Sequence, residues 1–374
     1  MRRTTLLATA MAGVLALAGC AKDSGSGGGG NNNAAAGSCV TSTAPAASGS
    51  STSSSASGAK VDASGMRVGL AFDIGGRGDA SFNDAAAAGI DKAKTDFGIK
   101  DVSESTAGAN EDEAAKEQRL TQLATNGYNP VVAVGFAYAD AVKAIAGKYP
   151  NTKFAIIDDD SVTLPNVTPL VFSEEQGSFL VGVAAVYKSK NCHVGFVGGV
   201  NTPLIQKFQA GFDQGAKAAS SKVVIENEYL TPAGDFSGFQ DPAKGNVVAA
   251  AEISKGADVV YHAAGASGKG VFEAAKSANA LAIGVDSDQY NQKTVAASKD
   301  VIITSMLKRV DVAVYDYLMA VATNTLGSLP KRFDLKAGGV GYATSGGKID
   351  DIVPALEGYK QQIIEGKITV ATTP

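Results

Sequence analysis

Short runs of apolar, often β-branched residues alternate with amphipathic stretches along the chain from Met66 onward. The first run, residues 67–72, ends at Asp73 and leads through a glycine-rich turn into an alanine-rich helical pattern that reaches about Phe97. A buried strand, a flexible loop and a helix in this order place a ligand pocket at the carboxyl end of a parallel sheet. We therefore expect residues 73–84 to contribute to a binding site.

The alternation of strand and helix patterns continues to the C-terminus. Further strands are predicted at residues 130–134, 154–157, 193–197, 223–229, 259–262, 282–285 and 301–304, and residues 167–172 are expected to be extended. Helices are predicted at residues 111–126, 138–149, 174–187, 203–219, 241–255, 268–278, 307–326 and 354–365. Short strands separated by helices indicate parallel sheets that are covered on both faces. The pattern predicts an α/β fold of two doubly wound parallel-sheet lobes joined by a hinge, with a ligand cleft between their carboxyl-end faces.

Three chain crossings between the lobes are predicted, near Phe172, Ser305 and Leu329. They assign residues 65–173 and 305–329 to the first lobe, and residues 174–304 and 330–374 to the second. The two lobes share a pattern of elements, and no sequence repeat links them.

The first 19 residues are typical of an export signal. Arg2 and Arg3 precede the apolar segment 6–18, and Leu17-Ala18-Gly19-Cys20 resembles a bacterial lipobox, in which the cysteine is acylated. An ordinary secretory signal with a chance cysteine is the alternative. Residues 20–64 are mostly Gly, Ser, Ala, Asn and Thr, which cannot bury enough apolar surface to fold. We expect a lipid on Cys20 and a disordered tether that holds the protein on the extracytoplasmic face of the cell membrane.

Charge and hydropathy argue against several classes of partner. Removal of Arg2 and Arg3 with the signal leaves 31 basic and 37 acidic residues, a formal net charge of −6. A mildly acidic protein is a poor candidate for binding nucleic acid. Beyond the N-terminus, every apolar run is shorter than the ~20 residues that a membrane helix needs. Contact with the membrane is therefore expected through the N-terminal lipid only.

Cysteine and histidine are scarce. With Cys20 acylated, Cys39 and Cys192 are left, and whether they form a disulfide in the exported protein stays open. His193 and His262 each flank an apolar strand, which is typical of a core or edge histidine. Without a Cys-x-x-Cys motif they form no metal-binding pattern, so no metal or cofactor is expected.

The glycine-rich segments do not match phosphate-binding motifs. Gly76 and Gly78 begin a G-x-G-x-x-G pattern, but Ser81 stands where the third glycine is required. Residues 268–270 have a glycine after the lysine, where a P-loop needs Ser or Thr. We interpret both segments as turns that approach a small ligand closely, and Arg77-Gly78-Asp79 as a chance match to an adhesion tripeptide.

Catalytic motifs are absent from the sequence as well. No G-x-S-x-G nucleophile elbow occurs, and no serine or cysteine has an evident histidine partner. The acidic segment 158–160 lacks the further spacing of a cation site, so we expect a polar loop with one functional carboxylate. These observations favour a binding protein over an enzyme.

The predicted cleft combines aromatic rings with acidic groups from both lobes. Phe82 begins a helix of the first lobe and Phe208 lies in a helix of the second, so the two rings can close on a flat heterocycle. The remaining candidates stand at strand or helix ends that face the same cleft: Asp73, Asn83, Asp158, Asp286 and Lys308. A carboxylate accepts two hydroxyl protons at once, which suits a vicinal diol.

Ordered motifs along residues 66–374 resemble the basic membrane protein family, the purine nucleoside-binding lipoproteins of ABC-type importers. The motifs are Asp73 with Asp79-x-Ser81-Phe82-Asn83, Val134-Gly135-Phe136, Phe154-Ala155-Ile156-Ile157-Asp158, the segment 172–182, Gly195-Phe196-Val197-Gly198-Gly199, Phe208-x-x-Gly211-Phe212, the segment 284–289 and Thr304-Ser305-Met306-Leu307-Lys308. The resemblance implies a type I periplasmic-binding-protein fold and a base held between Phe82 and Phe208.

The resemblance also implies roles for the polar residues and a set of partners. Asn83 and Asp158 would read the base edge, Asp286 and Lys308 would hold the ribose hydroxyls, and Asp73 would support the first loop or contact the ligand. The expected ligand is a nucleoside, most simply adenosine, guanosine or inosine, and the expected partners are ABC permease subunits, with the receptor a monomer. One alternative is a receptor for a sugar or an autoinducer-like solute. The other is a nucleoside-cleaving or sensory protein with the same fold.

Overall fold

The computed structural model describes residues 39–46, 61–108 and 111–374. The predicted signal 1–19, Cys20 and most of the predicted tether lie outside these residues. Within the described ranges, no helix has the length and apolar character needed to cross a membrane.

The first lobe is built on a five-stranded parallel sheet of order β2-β1-β3-β4-β5. Its strands are β1 Arg67–Phe72, β2 Asp101–Thr106, β3 Val131–Ala133, β4 Phe154–Ile157 and β5 Val167–Leu170. Its helices are α1 Phe82–Phe97, α2 Glu113–Thr125 and α3 Ala139–Ala146. The side chains of β3 and β4 are all buried, because helices cover both faces of the sheet.

The second lobe contains a six-stranded sheet of order β11-β10-β9-β8-β6-β7. Its strands are β6 His193–Val200, β7 Val224–Thr231, β8 Val259–Ala263, β9 Leu281–Asp286, β10 Ile302–Lys308 and β11 Val340–Tyr342, and only β11 is antiparallel to its neighbour. Its helices are α4 Glu174–Lys188, α5 Pro203–Ala219, α6 Pro242–Ser254, α7 Gly268–Ser277 and α9 Val353–Ile364. The prediction of two doubly wound parallel lobes is confirmed.

Helix α8, Val310–Thr323, returns the chain to the first lobe, where it packs on α1. Strand β10 pairs with β9 as far as Leu307 and with β11 at Lys308. The crossing therefore falls at residue 309 and not near Ser305, and the helix predicted from Leu307 begins at Val310. The apolar run of β10 continues into the helical pattern, so the sequence does not mark this boundary.

Two strands were not predicted from the sequence. Strand β2 is Asp-Val-Ser-Glu-Ser-Thr, and β11 is three residues long. Both lie at sheet edges, where one side faces solvent and polar side chains are tolerated. Strand β2 is defined by its register with β1, from Arg67 opposite Asp101 to Phe72 opposite Thr106.

Residues 39–46 pack against the second lobe, which corrects the prediction of a free tether for this segment. Cys39 is buried and forms a disulfide with Cys192. The backbone N–H groups of Thr41 and Ser42 donate to the carbonyl oxygen of Ala219, and Ser220 Oγ donates to that of Cys39. The segment is thus fixed by a covalent bond, by these hydrogen bonds and by the packing of Val40 and Ala44 against the core.

Helices α4 and α5 pack with their backbones in contact. A Cβ atom on Gly182, Gly211 or Gly215 would collide with a backbone carbonyl oxygen of the opposite helix. This close approach requires glycine. It fixes the start of α4, where Glu174 lies, against the turn of α5 that carries Phe208.

Candidate ligand-binding cleft

A cleft lies at the carboxyl ends of the two sheets and is lined by both lobes. All seven residues predicted as binding residues line this cleft. The first lobe contributes Asp73, Phe82, Asn83 and Asp158, and the second contributes Phe208, Asp286 and Lys308. The topology brings them together because the strands that precede them are parallel and end at the same edge.

The loop between β1 and α1 is organised around the carboxylate of Asp79. This carboxylate accepts hydrogen bonds from the backbone N–H groups of Ser81, Asn83 and Asp84, at 2.9, 2.8 and 3.0 Å. Burial raises the pKa of Asp79 to about 7, while these backbone donors oppose the shift. Backbone N–H groups at the start of helix α1 are therefore already occupied by a carboxyl group of the chain itself.

The same geometry argues against an adhesion role for the tripeptide 77–79. The Arg77 guanidinium binds Asp91 and Glu104, with N–O distances of 2.6–3.1 Å. Asp79 is buried beneath the loop. The two charged side chains are thus engaged within the first lobe.

Asn83 and Asp73 support the loop from below. Asn83 Oδ1 accepts from the backbone N–H of Asp73 at 3.1 Å, and its Nδ2 donates to Ile74 O and Asp79 Oδ2 at 3.2 and 3.1 Å. Burial raises the pKa of Asp73 to about 6, although its carboxylate accepts from the backbone N–H of Ile74. The amide of Asn83 is fully used inside the loop, where it holds the neighbouring Phe82 in place.

Lys308, the last residue of β10, joins the two lobes electrostatically. Its Nζ atom lies 2.6 Å from Asp158 Oδ2 and 3.4 Å from Glu174 Oε1. The same ammonium lies over three rings, 5.0, 5.2 and 5.6 Å from the centroids of Phe82, Phe172 and Phe208. Burial acts to lower the pKa of Lys308, but the surrounding carboxylates outweigh it and raise that pKa, so the lysine stays charged.

Asp158 and Asp286 occupy equivalent positions at the ends of β4 and β9. Both have left-handed backbone conformations, with φ of 71° and 62°, which turn the chain sharply at the strand end. Asp158 Oδ1 is buried without a hydrogen-bond partner among the described residues. Burial raises the pKa of both carboxyl groups, and Lys308 opposes that shift.

Direct hydrogen bonds cross between the lobes beside the cleft. Ser81 Oγ donates to Asp286 Oδ2 at 2.5 Å, and Ser287 Oγ donates to the carbonyl oxygen of Ser81 at 2.9 Å. Gln289 Nε2 donates to the carbonyl oxygen of Ala80 at 3.1 Å. The first-lobe loop is thus held against the β9 end of the second lobe.

Two further aromatic residues line the cleft and were missed by sequence reasoning, Phe136 and Phe239. Phe136 packs edge-on against Phe236 of the second lobe, with ring centroids 5.7 Å apart. A signal for Phe136 was available, since it follows β3 at the same sheet edge as Asp73 and Asp158. Phe239 follows β7 in a 3₁₀ turn, 236–239, whose position no strand pattern marks.

The acidic segment 158–160 and the two histidines do not form a metal site. Asp158 pairs with Lys308, Asp159 accepts from Ser161, and Asp160 lies 3.2 Å from Arg332. His262 is buried beside Gln289, and His193 contacts Glu226. Throughout residues 39–46, 61–108 and 111–374, no cluster of three or more His, Cys, Asp or Glu residues has metal-binding geometry.

Two parallel α/β lobes joined by several chain crossings, with a cleft lined by both, define a hinged solute-binding protein. Comparison with known proteins narrows the class. Residues 66–373 match the Bmp family model, described as "ABC transporter substrate-binding protein PnrA-like". The chain therefore belongs to the Bmp family of ABC-transporter substrate-binding proteins.

Individual relatives agree with this assignment. The chain is 36% identical over 325 residues to the "CD4+ T-cell-stimulating antigen" of Listeria monocytogenes, covering 82% of this chain and 88% of that one. It is 31% identical over 319 residues to the "ABC transporter nucleoside-binding protein BmpA" of Lactococcus lactis, covering 82% and 89%. A crystal structure of an ABC transporter solute-binding protein from Aeropyrum pernix superposes with a TM-score of 0.69 at 28% identity, covering 82% and 93%.

Proposed function

We propose that the protein is a lipid-anchored receptor that captures a purine nucleoside outside the cell membrane and delivers it to an ABC-type importer. The observation that carries this proposal is the convergence of Phe82 and Phe208, from opposite lobes, with Asp158, Asp286 and Lys308 in one cleft. Rings from both lobes suit a planar base, and paired acceptors and a donor suit the hydroxyls of a ribose.

The proposed contacts divide the ligand between the two halves of the cleft. Phe82 and Phe208 stack on the two faces of the base, and the free Oδ1 atom of Asp158 accepts from its edge. Asp286 and Lys308 bind the ribose hydroxyls. Asn83 was predicted to read the base edge, but its internal hydrogen bonds support a role in positioning Phe82.

The proposed location follows from the N-terminal sequence and the family. Leu17-Ala18-Gly19-Cys20 supports lipid attachment at Cys20. An ABC-transporter substrate-binding protein works where it meets its solute before import. Mass spectrometry of the membrane-extracted protein is expected to find the N-terminus at an acylated Cys20; an unmodified chain beginning elsewhere would contradict lipid anchoring.

Calorimetric titration tests the choice of ligand. The lipid-free protein is titrated with adenosine, guanosine, inosine, cytidine and ribose. We expect purine nucleosides to bind more tightly than cytidine, and ribose to bind weakly, because it offers nothing for the rings to stack on. Tight ribose binding with no gain from a base would show a sugar receptor.

Two variants test the position of the ligand. Phe82→Ala and Asp286→Ala are each expected to weaken nucleoside binding at least tenfold, about 1.4 kcal/mol, because one removes a stacking face and the other a diol acceptor. Val247→Ala is the control, since Val247 is a surface residue with 67% of its area exposed. Wild-type affinity in both cleft variants would show that the ligand binds elsewhere.

Recovery of the ligand separates a receptor from an enzyme. After prolonged incubation and denaturation of the protein, unchanged nucleoside is expected. Release of free base would instead show nucleoside cleavage on this fold.

A further inference from the structure

Lys308 is one positive charge among three buried carboxyl groups. Asp158 contacts its ammonium at 2.6 Å, and Glu174 lies 3.4 Å away. Asp286 contributes a further negative charge close enough to favour the charged lysine. Within the described part of the chain, Asp158 and Glu174 are the acidic groups at ion-pair distance from Lys308.

Glu174 differs from the other two acids in its position. Asp158 and Asp286 line the cleft, whereas Glu174 lies behind Lys308 at the start of α4. Its side chain is 1% exposed, its Oε1 atom faces Lys308, and its Oε2 atom lies 3.7 Å from Lys207 without a hydrogen bond. Glu174 thus lies between two lysines and does not line the cleft.

This arrangement matters when a ligand enters. When a ligand donates hydrogen bonds to the carboxylate oxygens of Asp158 and Asp286, those oxygens are less available to the ammonium of Lys308. A buried ammonium that loses its partners is strongly disfavoured and either moves or loses its proton. Glu174 is the one carboxylate of the three whose contact with Lys308 is independent of the ligand.

We propose that Glu174 is a positioning residue for ligand binding: it is the permanent counter-charge of Lys308 and fixes the ammonium so that it donates to the ribose hydroxyls. This inference rests on the proposed nucleoside function and adds a residue that no ligand contact would reveal. It also gives a reason for the burial of the Glu174 carboxylate at the start of α4, next to the chain crossing predicted near Phe172.

The experiment compares two ligands in matched variants. Glu174→Gln keeps the shape of the side chain and removes its charge. Glu175→Gln is the control, because Glu175 is the neighbouring buried acid of the same helix turn and lies beyond ion-pair distance of Lys308. Each protein is titrated with whichever of adenosine, guanosine and inosine binds the wild type most tightly, and with the 2′,3′-dideoxy form of that nucleoside.

We expect Glu174→Gln to weaken binding of the nucleoside at least tenfold and binding of the dideoxy form less than threefold. The dideoxy form lacks the hydroxyls that Lys308 would contact, so it does not sense the position of the ammonium. Glu175→Gln is expected to change both affinities less than threefold. If Glu174→Gln does not fold, Glu174→Asp is tested instead. Its shorter side chain keeps the negative charge but places it farther from Lys308, so we expect the same selectivity between the two ligands with a smaller loss of affinity.

Other outcomes overturn the inference. Equal losses for both ligands would show that Glu174 only supports the fold, and unchanged nucleoside affinity would show that Lys308 needs no fixed counter-charge. Failure of the wild type to bind any nucleoside would overturn the proposed function itself, and with it this role of Glu174. The wild-type titration therefore distinguishes the two failures.

Discussion

At the scale of single residues, buried acids outnumber the cations that could neutralise them. Glu252 on α6 is fully buried, and neither of its carboxyl oxygens has a hydrogen-bond partner among the described residues. It packs against the backbone of Gly195 in β6, where a larger residue would collide with it. Burial, helped by the nearby Glu226 and Glu228, raises the pKa of Glu252 to about 9. The folded protein therefore holds this group in its neutral form at pH 7.

Glu252 should make stability depend on pH. Its pKa is higher in the folded than in the unfolded state, so its contribution is fully present below about pH 4.5 and is lost as pH rises toward 9. Glu252→Gln removes this titration. We expect the free energy of unfolding of the variant, relative to wild type, to increase by about 2 kcal/mol or more between pH 5 and pH 8, measured by urea denaturation.

Val247→Ala is the control for this prediction, because Val247 lies on the same helix, α6, has 67% of its area exposed and carries no titratable group. Its effect should stay nearly constant across that pH range. A constant difference between Glu252→Gln and wild type would mean that Glu252 is already ionised in the folded protein.

At the scale of elements, the N-terminus of α1 decides which ligands the cleft can accept. A helix start after a glycine-rich loop is a common phosphate site, but here the carboxylate of Asp79 binds the backbone N–H groups of residues 81, 83 and 84. The cleft wall adds the carboxyl groups of Asp73, Asp158 and Asp286, against the single charge of Lys308. This arrangement favours an uncharged ligand over an anionic one.

We therefore expect the 5′-monophosphate of the best nucleoside to bind at least a hundredfold more weakly than the nucleoside, measured by calorimetry at low ionic strength. Repulsion from the acidic groups and the occupation of the N–H groups of residues 81, 83 and 84 by Asp79 are the physical reasons. The matching uncharged control is a 5′-O-methyl nucleoside, which probes added size without charge. A monophosphate within threefold of the nucleoside would mean that the cleft offers an anion site that this geometry does not contain.

At the scale of the whole molecule, closure of the lobes is supported by contacts outside the ligand cleft. Phe236 does not line the cleft, yet its ring packs edge-on against Phe136 of the first lobe and lies 6.0 Å from Lys116 Nζ. Its loop is held at the base, where Ser267 Oγ donates to the carbonyl oxygen of Gly238. Phe236 thus links the lobes without itself lining the cleft.

Phe236→Ala is expected to increase the dissociation rate of the nucleoside about threefold to tenfold, the range expected for loss of an aromatic pair, with a smaller change in the association rate. Stopped-flow competition with a fluorescent nucleoside analogue measures both rates. Val247→Ala, on the same lobe, should change neither. An unchanged dissociation rate in Phe236→Ala would show that this contact does not stabilise the closed form.

The disulfide between Cys39 and Cys192 belongs to the whole molecule, because it joins positions 153 residues apart. Cross-linking restricts the unfolded chain most when the enclosed loop is long. The double variant Cys39→Ser/Cys192→Ser is expected to lower the free energy of unfolding by about 2–4 kcal/mol, measured by denaturant titration. Its nucleoside affinity should change less than twofold, since neither cysteine lines the cleft. A large loss of affinity would show that the disulfide influences ligand binding.

The sequence by itself determined the two α/β lobes, most helices and buried strands, and seven of the residues that line the cleft. These features depend on local hydrophobic period and on the rule that parallel strands end at one edge, both of which are readable along the chain. The opening segment 67–84 was interpreted correctly as strand, loop and helix for the same reason.

Only the tertiary structure decided the features that depend on partners distant in sequence. The polar edge strand β2, the packing of residues 39–46, the ion pair of Lys308 with Asp158 and Glu174, and the contact between Phe136 and Phe236 leave no local pattern. A buried charge is stable because of what surrounds it, and its surroundings are set by packing. Glu174 is the clearest case, since in the sequence it is one polar residue at a helix start.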